Sequence, residues 1–72
     1  MYKVIVFAGT TEGYEISRFL GENQIPVLAC VATEYGSRSL KESSSLHVQA
    51  GRLDENGMEE LFFREKPELV FD

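Results

Sequence analysis

Apolar residues along this chain fall into four short runs separated by amphipathic or polar stretches. The first, about Lys3 to Phe7, is continuous through Val4, Ile5, Val6 and Phe7. The second, about Val27 to Ala32, is entered through Ile25-Pro26, where proline fits only the first residue or the edge of a strand. The third, Leu46 to Ala50, alternates Leu46, Val48 and Ala50 with His47 and Gln49, so one face is wetter. A fourth covers Leu69 to Phe71. Between the first two, Ile16, Phe19 and Leu20 make an i, i+3, i+4 stripe, which predicts a helix closing at Gly21. Gly13 falls on the same inner face, where a side chain would hold helix and strand apart. After the third run, Asp54 is a good N-cap, Met58, Leu61 and Phe62 supply the inner stripe, and Pro67 ends the helix. Leu53 and Met58 are spaced as a hydrophobic staple about that cap. The serine-rich stretch Ser37 to Ser45 has room for only a turn or two of helix.

Strands alternating with helices predict an α/β fold with a parallel sheet and right-handed crossovers. The expected order is 3-2-1-4, a Rossmann-like half of a doubly wound domain with the first strand central. A fourth strand that finishes beside Asp72 leaves a bare sheet edge. Residues 1–72 are therefore expected to be an N-terminal half-domain of something longer, with self-association through the bare edge as an attendant risk.

The turn after the first strand, Gly9-Thr10-Thr11-Glu12-Gly13, carries the chemistry. A strand that stops on glycine and re-enters as a helix points several backbone N–H groups at one spot. The helix dipole adds about half a positive charge there, which makes an anion site. Compared with the three-glycine dinucleotide fingerprint, the turn lacks the middle glycine and has threonine hydroxyls instead. Those hydroxyls suit either a helix cap or a phosphate oxygen. Glu12 would repel a diphosphate unless it points away, and suits the dipole on the solvent side.

The second strand runs into Thr33-Glu34-Tyr35-Gly36-Ser37-Arg38, where a dinucleotide fold meets the adenosine ribose. Glu34 favours free ribose hydroxyls, as in NAD; Thr33, Ser37 and Arg38 favour the 2′-phosphate of NADP. NADPH and NADH therefore both stay open as cofactors, and Arg38 and Lys41 are equally readable as solvated charges. After the third strand, Arg52 is placed to meet a phosphate or stack on adenine. Asp54 suits an adenine amino group, though capping its own helix is the simpler role.

Bulk properties narrow the field. Seventy-two residues allow at most one small domain, and a net charge of −5 argues against nucleic acid or anionic membrane as the main partner. Cys30 is the only cysteine, which leaves no disulfide framework or thiolate cluster for a metal, and its apolar run suits a buried hydrophobe. His47 lies mid-strand, away from the turn edge, and reads as a surface or satisfied histidine. No signal sequence is legible, so cytoplasm is the expected location.

Phe7-Ala8-Gly9-Thr10-Thr11-Glu12-Gly13, Val31-Ala32-Thr33-Glu34-Tyr35-Gly36 and Gly51-Arg52-Leu53-Asp54 with Gly57-Met58 together resemble the N-terminal half of precorrin-6A reductases, including the cobalt-precorrin-6A reductases. Ala8 stands where a second glycine is common in that family. The resemblance implies an NAD(P)H-dependent oxidoreductase of cobalamin biosynthesis that moves hydride to a double bond of a corrin precursor. It implies that Gly9, Thr10, Thr11, Glu12 and Gly13 cradle the cofactor, with Thr33, Tyr35, Gly36 and Ser37 bordering its adenosine end. It also implies tetrapyrrole contacts and catalytic residues outside these 72, so that this stretch alone would not turn over substrate. The alternative reading is a stand-alone nucleotide-binding regulatory module without catalysis.

Overall fold

The structure is a computed structural model that describes residues 2–32 and 40–71. Four strands, β1 (Val4–Phe7), β2 (Val27–Val31), β3 (Leu46–Ala50) and β4 (Leu69–Phe71), form one sheet in the order β3-β2-β1-β4. Every pairing is parallel, with Val4 opposite both Val27 and Leu69, and Val27 opposite Leu46. Helices α1 (Thr11–Glu22) and α2 (Glu55–Glu65) make the crossovers after β1 and β3. This is the α/β, Rossmann-like arrangement that the alternating runs predict.

Pleating sends alternate side chains to two cores. Val4, Val6, Ala8, Val27, Ala29, Val31 and Leu46 face α1, whose Ile16 and Leu20 pack against them. Ile5, Leu28 and Cys30 face α2 and meet Leu61. Because both faces are covered, β2 reads as an unbroken apolar run and is buried throughout. Phe7 and Phe62 meet edge to face across the second core, 6.1 Å between centroids.

The inner face of α1 differs from its apolar stripe. Phe19 is 63% exposed, whereas Ser17 is fully buried. The face turned to the sheet runs Gly13, Ile16, Ser17, Leu20. A hydroxyl is tolerated there because Ser17 Oγ donates to the Gly13 carbonyl at 2.9 Å. Gly21 does not close the helix either. It lies within α1, where an added Cβ would stand 2.9 Å from Leu46 Cβ, so its role is close approach to β3. The helix stops instead at Asn23, with Gln24 left-handed at φ 58°. The Gln24 N–H donates to the Gly21 carbonyl and the Ile25 N–H to that of Leu20, the paired bonds of a Schellman ending.

At the N-terminal ends of the strands, Tyr2 spans the sheet surface to β3. Its hydroxyl lies 2.8 Å from His47 Nδ1, so His47 is a satisfied histidine. Burial, then the Glu65 and Glu42 carboxylates, push the Tyr2 phenol up, against a smaller opposing pull from Arg64. β4 is the thinly covered strand: Leu69, Val70 and Phe71 are all exposed.

Candidate nucleotide site at the carboxyl edge of the sheet

In a parallel sheet all strands end on the same side, and here the ends of β1, β2 and β3 surround a cleft of about 410 Å³. Its walls are Phe7, Ala8 and Gly9 from β1, Cys30 to Ala32 from β2, Gly51 and Arg52 from β3, and Leu53 and Met58 at the start of α2. The chain leaves β1 for β2 on one side and returns from β3 to β4 on the other. That reversal puts a topological switch point between β1 and β4, where open α/β sheets take their ligands, while the cleft itself lies over β1, β2 and β3. Both α1 and α2 begin at this edge, so the positive ends of both dipoles face it.

The first turn of α1 is built as an anion site requires. Thr10 is the N-cap, extended at φ −133°, and its Oγ1 accepts from the Gly13 N–H at a long 3.4 Å. The Tyr14 N–H reaches the Thr10 carbonyl at 3.1 Å. The amides of Thr11 and Glu12 therefore have no partner inside the helix. Glu12 is exposed in that turn, where the dipole attracts its carboxylate.

The glycines separate by cause. A Cβ on Gly13 would sit 3.0 Å from Ala8 Cα, so this glycine lets α1 lie on β1. Gly51 has φ +116°, a conformation that needs glycine. At Gly57 a Cβ would crowd Asp54 Oδ1 and Leu53 at 3.3 Å. Gly9 has neither reason: its φ is not left-handed, and nothing lies within 4 Å of an added Cβ. The fold has no use for a glycine there. Gly9 itself lines the cleft.

Of the candidates read from sequence, Gly9 and Arg52 line the same cleft, and Thr10 to Gly13 form the helix start beside it. Asp54 is the N-cap of α2, its Oδ1 accepting from the Gly57 N–H at 2.7 Å. Thr33, Tyr35, Gly36, Ser37 and Arg38, with Glu34, lie outside the described residues. Sequence reading assigned Cys30, Leu53 and Met58 to packing alone, yet they also wall the cleft. The signal was the place of Cys30 and Leu53 beside the ends of β2 and β3, and of Met58 in the first turn of the helix that follows. Burial pushes the Cys30 thiol up to about 11, so it is a neutral wall group and not a nucleophile at physiological pH.

The parallel sheet with its flanking helices defines a Rossmann-like α/β protein, and its carboxyl edge carries an apolar cleft lined in part by Arg52, beside a glycine turn that starts a helix. The family model of the precorrin-6x reductases CbiJ/CobK matches residues 3–72, and the chain belongs to that family. These are oxidoreductases of cobalamin biosynthesis, acting on a tetrapyrrole. No curated protein and no solved structure gives a significant match to the chain. No helix among the described residues is long and apolar enough to cross a membrane.

Proposed function

We propose that these 72 residues are the nicotinamide-nucleotide-binding half-domain of a precorrin-6x reductase, holding NADPH or NADH with the diphosphate at Gly9 to Gly13. The cofactor supplies the hydride that reduces a double bond of the corrin precursor. The chain's own residues bind and orient it. The Thr11 and Glu12 amides and the Thr10 and Thr11 hydroxyls offer donors to phosphate oxygens, in the field of the α1 dipole. Arg52 adds a fixed positive charge or a stacking plane for adenine. Leu53, Met58 and the ends of β1 and β2 exclude water from the apolar part of the nucleotide. The segment 33–38 carries the groups that would choose between a free ribose and a 2′-phosphate. Catalytic residues and tetrapyrrole contacts are assigned outside these 72, and the cytoplasm, with its nicotinamide pool, is the proposed location.

One observation carries this reading: Gly9 is a glycine that neither conformation nor packing demands, and it lines the cleft. Close approach of a diphosphate to the backbone supplies the missing reason. The test is titration of the isotopically labelled chain with NADPH and NADH, following backbone amides by NMR. Shifts concentrated at Gly9 to Gly13 and Thr33 to Arg38 support the proposal, and the tighter of the two ligands identifies the cofactor. A well-dispersed spectrum that neither nucleotide moves at millimolar concentration refutes it.

A further inference from the structure

The two edges of the sheet are treated differently. At the outer edge of β3 the chain returns on itself just before the strand starts. Leu40 is buried in the α1-side core and anchors this return. The Val48 N–H then donates to Glu42 Oε2 at 3.1 Å, and the Leu46 N–H donates to Ser43 Oγ at 3.1 Å. The Ser43 N–H donates back to the Leu46 carbonyl at 2.9 Å. These groups point away from the sheet. The inward bonds of β3 use the flanking positions, Val27 N–H to the Ser45 carbonyl and Gly51 N–H to the Val31 carbonyl. Polar groups of alternate residues turn to opposite sides of a parallel strand, so Leu46, Val48 and Ala50 present the row that an added strand would pair with. No side-chain hydrogen bond among the described residues reaches β4 in this way.

We propose that Glu42 and Ser43 form an edge lock, occupying the outward groups at the start of β3 (the Leu46 N–H and carbonyl and the Val48 N–H) and preventing that strand from pairing with β3 of a second copy. An isologous pair of this kind would be antiparallel and would use the same row of groups on both copies. The carboxylate is well suited to the task. Its oxygen accepts from an outward N–H that a second copy would otherwise use. The start of β3 is then guarded by the chain's own side chains.

The test compares Glu42→Ala/Ser43→Ala with the conservative pair Glu42→Gln/Ser43→Thr, which keeps both acceptors. Amide exchange at Leu46 and Val48 is read in dilute solution, and sedimentation velocity is read over rising concentration. The alanine pair is expected to exchange about tenfold faster or more at these two amides, the loss of a side-chain acceptor. It should also gain a concentration-dependent sedimentation coefficient beyond that of the parent, while the conservative pair matches the parent. Association through β4 would be common to all three chains, so only the difference counts. Parent-like exchange in the alanine pair overturns the proposal. So does faster exchange without added association, or equal association in the conservative pair. Should the double variant unfold, Glu42→Ala alone, at an exposed position, gives the same readings at Val48.

Discussion

Replacing Gly9 with alanine separates binding from folding more cleanly than any other change in this molecule. The added Cβ meets nothing within 4 Å and φ is not left-handed, so the native state accepts it without strain. The unfolded chain loses freedom, which should stabilise the fold by roughly 0.4–1 kcal/mol. On the proposed reading, the same methyl group stands in the path of the diphosphate's approach to the backbone. Loss of one hydrogen bond to a charged oxygen costs about 1.5–3 kcal/mol, roughly a ten- to hundredfold rise in Kd. Urea unfolding followed by circular dichroism gives the first quantity, and calorimetric titration with NADPH or NADH gives the second. Gly13→Val is the matched opposite. Its Cβ would lie 3.0 Å from Ala8 Cα, a backbone atom that cannot swing aside. Overpacking of that kind costs about 1–3 kcal/mol, against a total of roughly 4–11 kcal/mol for a chain of this length. A folded Gly9→Ala chain with parental cofactor affinity would refute the assignment of this turn. A Gly9→Ala chain less stable than its parent would refute the claim that the fold has no use for the glycine.

Other perturbations probe the framework. Leu61→Ala empties the centre of the α2-side core, where Leu61 is 2% exposed. The expected loss is about 2–5 kcal/mol in chemical denaturation, a large share of the total. Asp54→Ala removes the 2.7 Å bond to the Gly57 N–H. It should cost roughly 0.5–2 kcal/mol, with Asp54→Asn recovering most of it. Cys30 makes the fold sensitive to alkali: its thiol titrates near 9 when exposed and at about 11 when folded. The unfolded chain therefore releases this proton first as pH rises. The contribution is fully present below pH 9, shrinks between pH 9 and 11, and is lost above that, up to roughly 3 kcal/mol in all. Urea midpoints across that window should fall for the parent, and by visibly less for Cys30→Ala.

The strands were legible because burial leaves an unambiguous trace: β1 and β2 are apolar throughout, and β3 alternates. Their order followed from strand–helix alternation and handedness rather than from any residue. What hydropathy could not reveal was which side of α1 faces the sheet. Ser17 looks polar and Phe19 apolar, but the Gly13 carbonyl satisfies the serine hydroxyl and leaves the phenylalanine outside. Gly21 carried the usual mark of a helix end, yet its reason lies across space at Leu46. The glycine turn stood out as a candidate site from its residues alone. The special status of Gly9 within it needed coordinates, since a sequence does not say which glycines have room for a side chain. The part of the cleft built by Cys30, Leu53 and Met58 was hidden for a related reason: a wall residue and a core residue have the same hydropathy.

The centre of the sheet joins strands that lie far apart along the chain. β1 pairs with β2 on one side, but its other side waits for β4, so Val4 meets Leu69 only after α1, β2, β3 and α2 have all been made. During synthesis β1, β2, β3 and α1 can assemble from contacts close in sequence, and α2 with β4 follows them. Until then Ile5, a fully buried residue in the finished fold, lacks the cover of Leu61. A ribosome-bound chain stalled before α2 should therefore expose the most apolar strand of the molecule, and hold-and-release chaperones would find their target there.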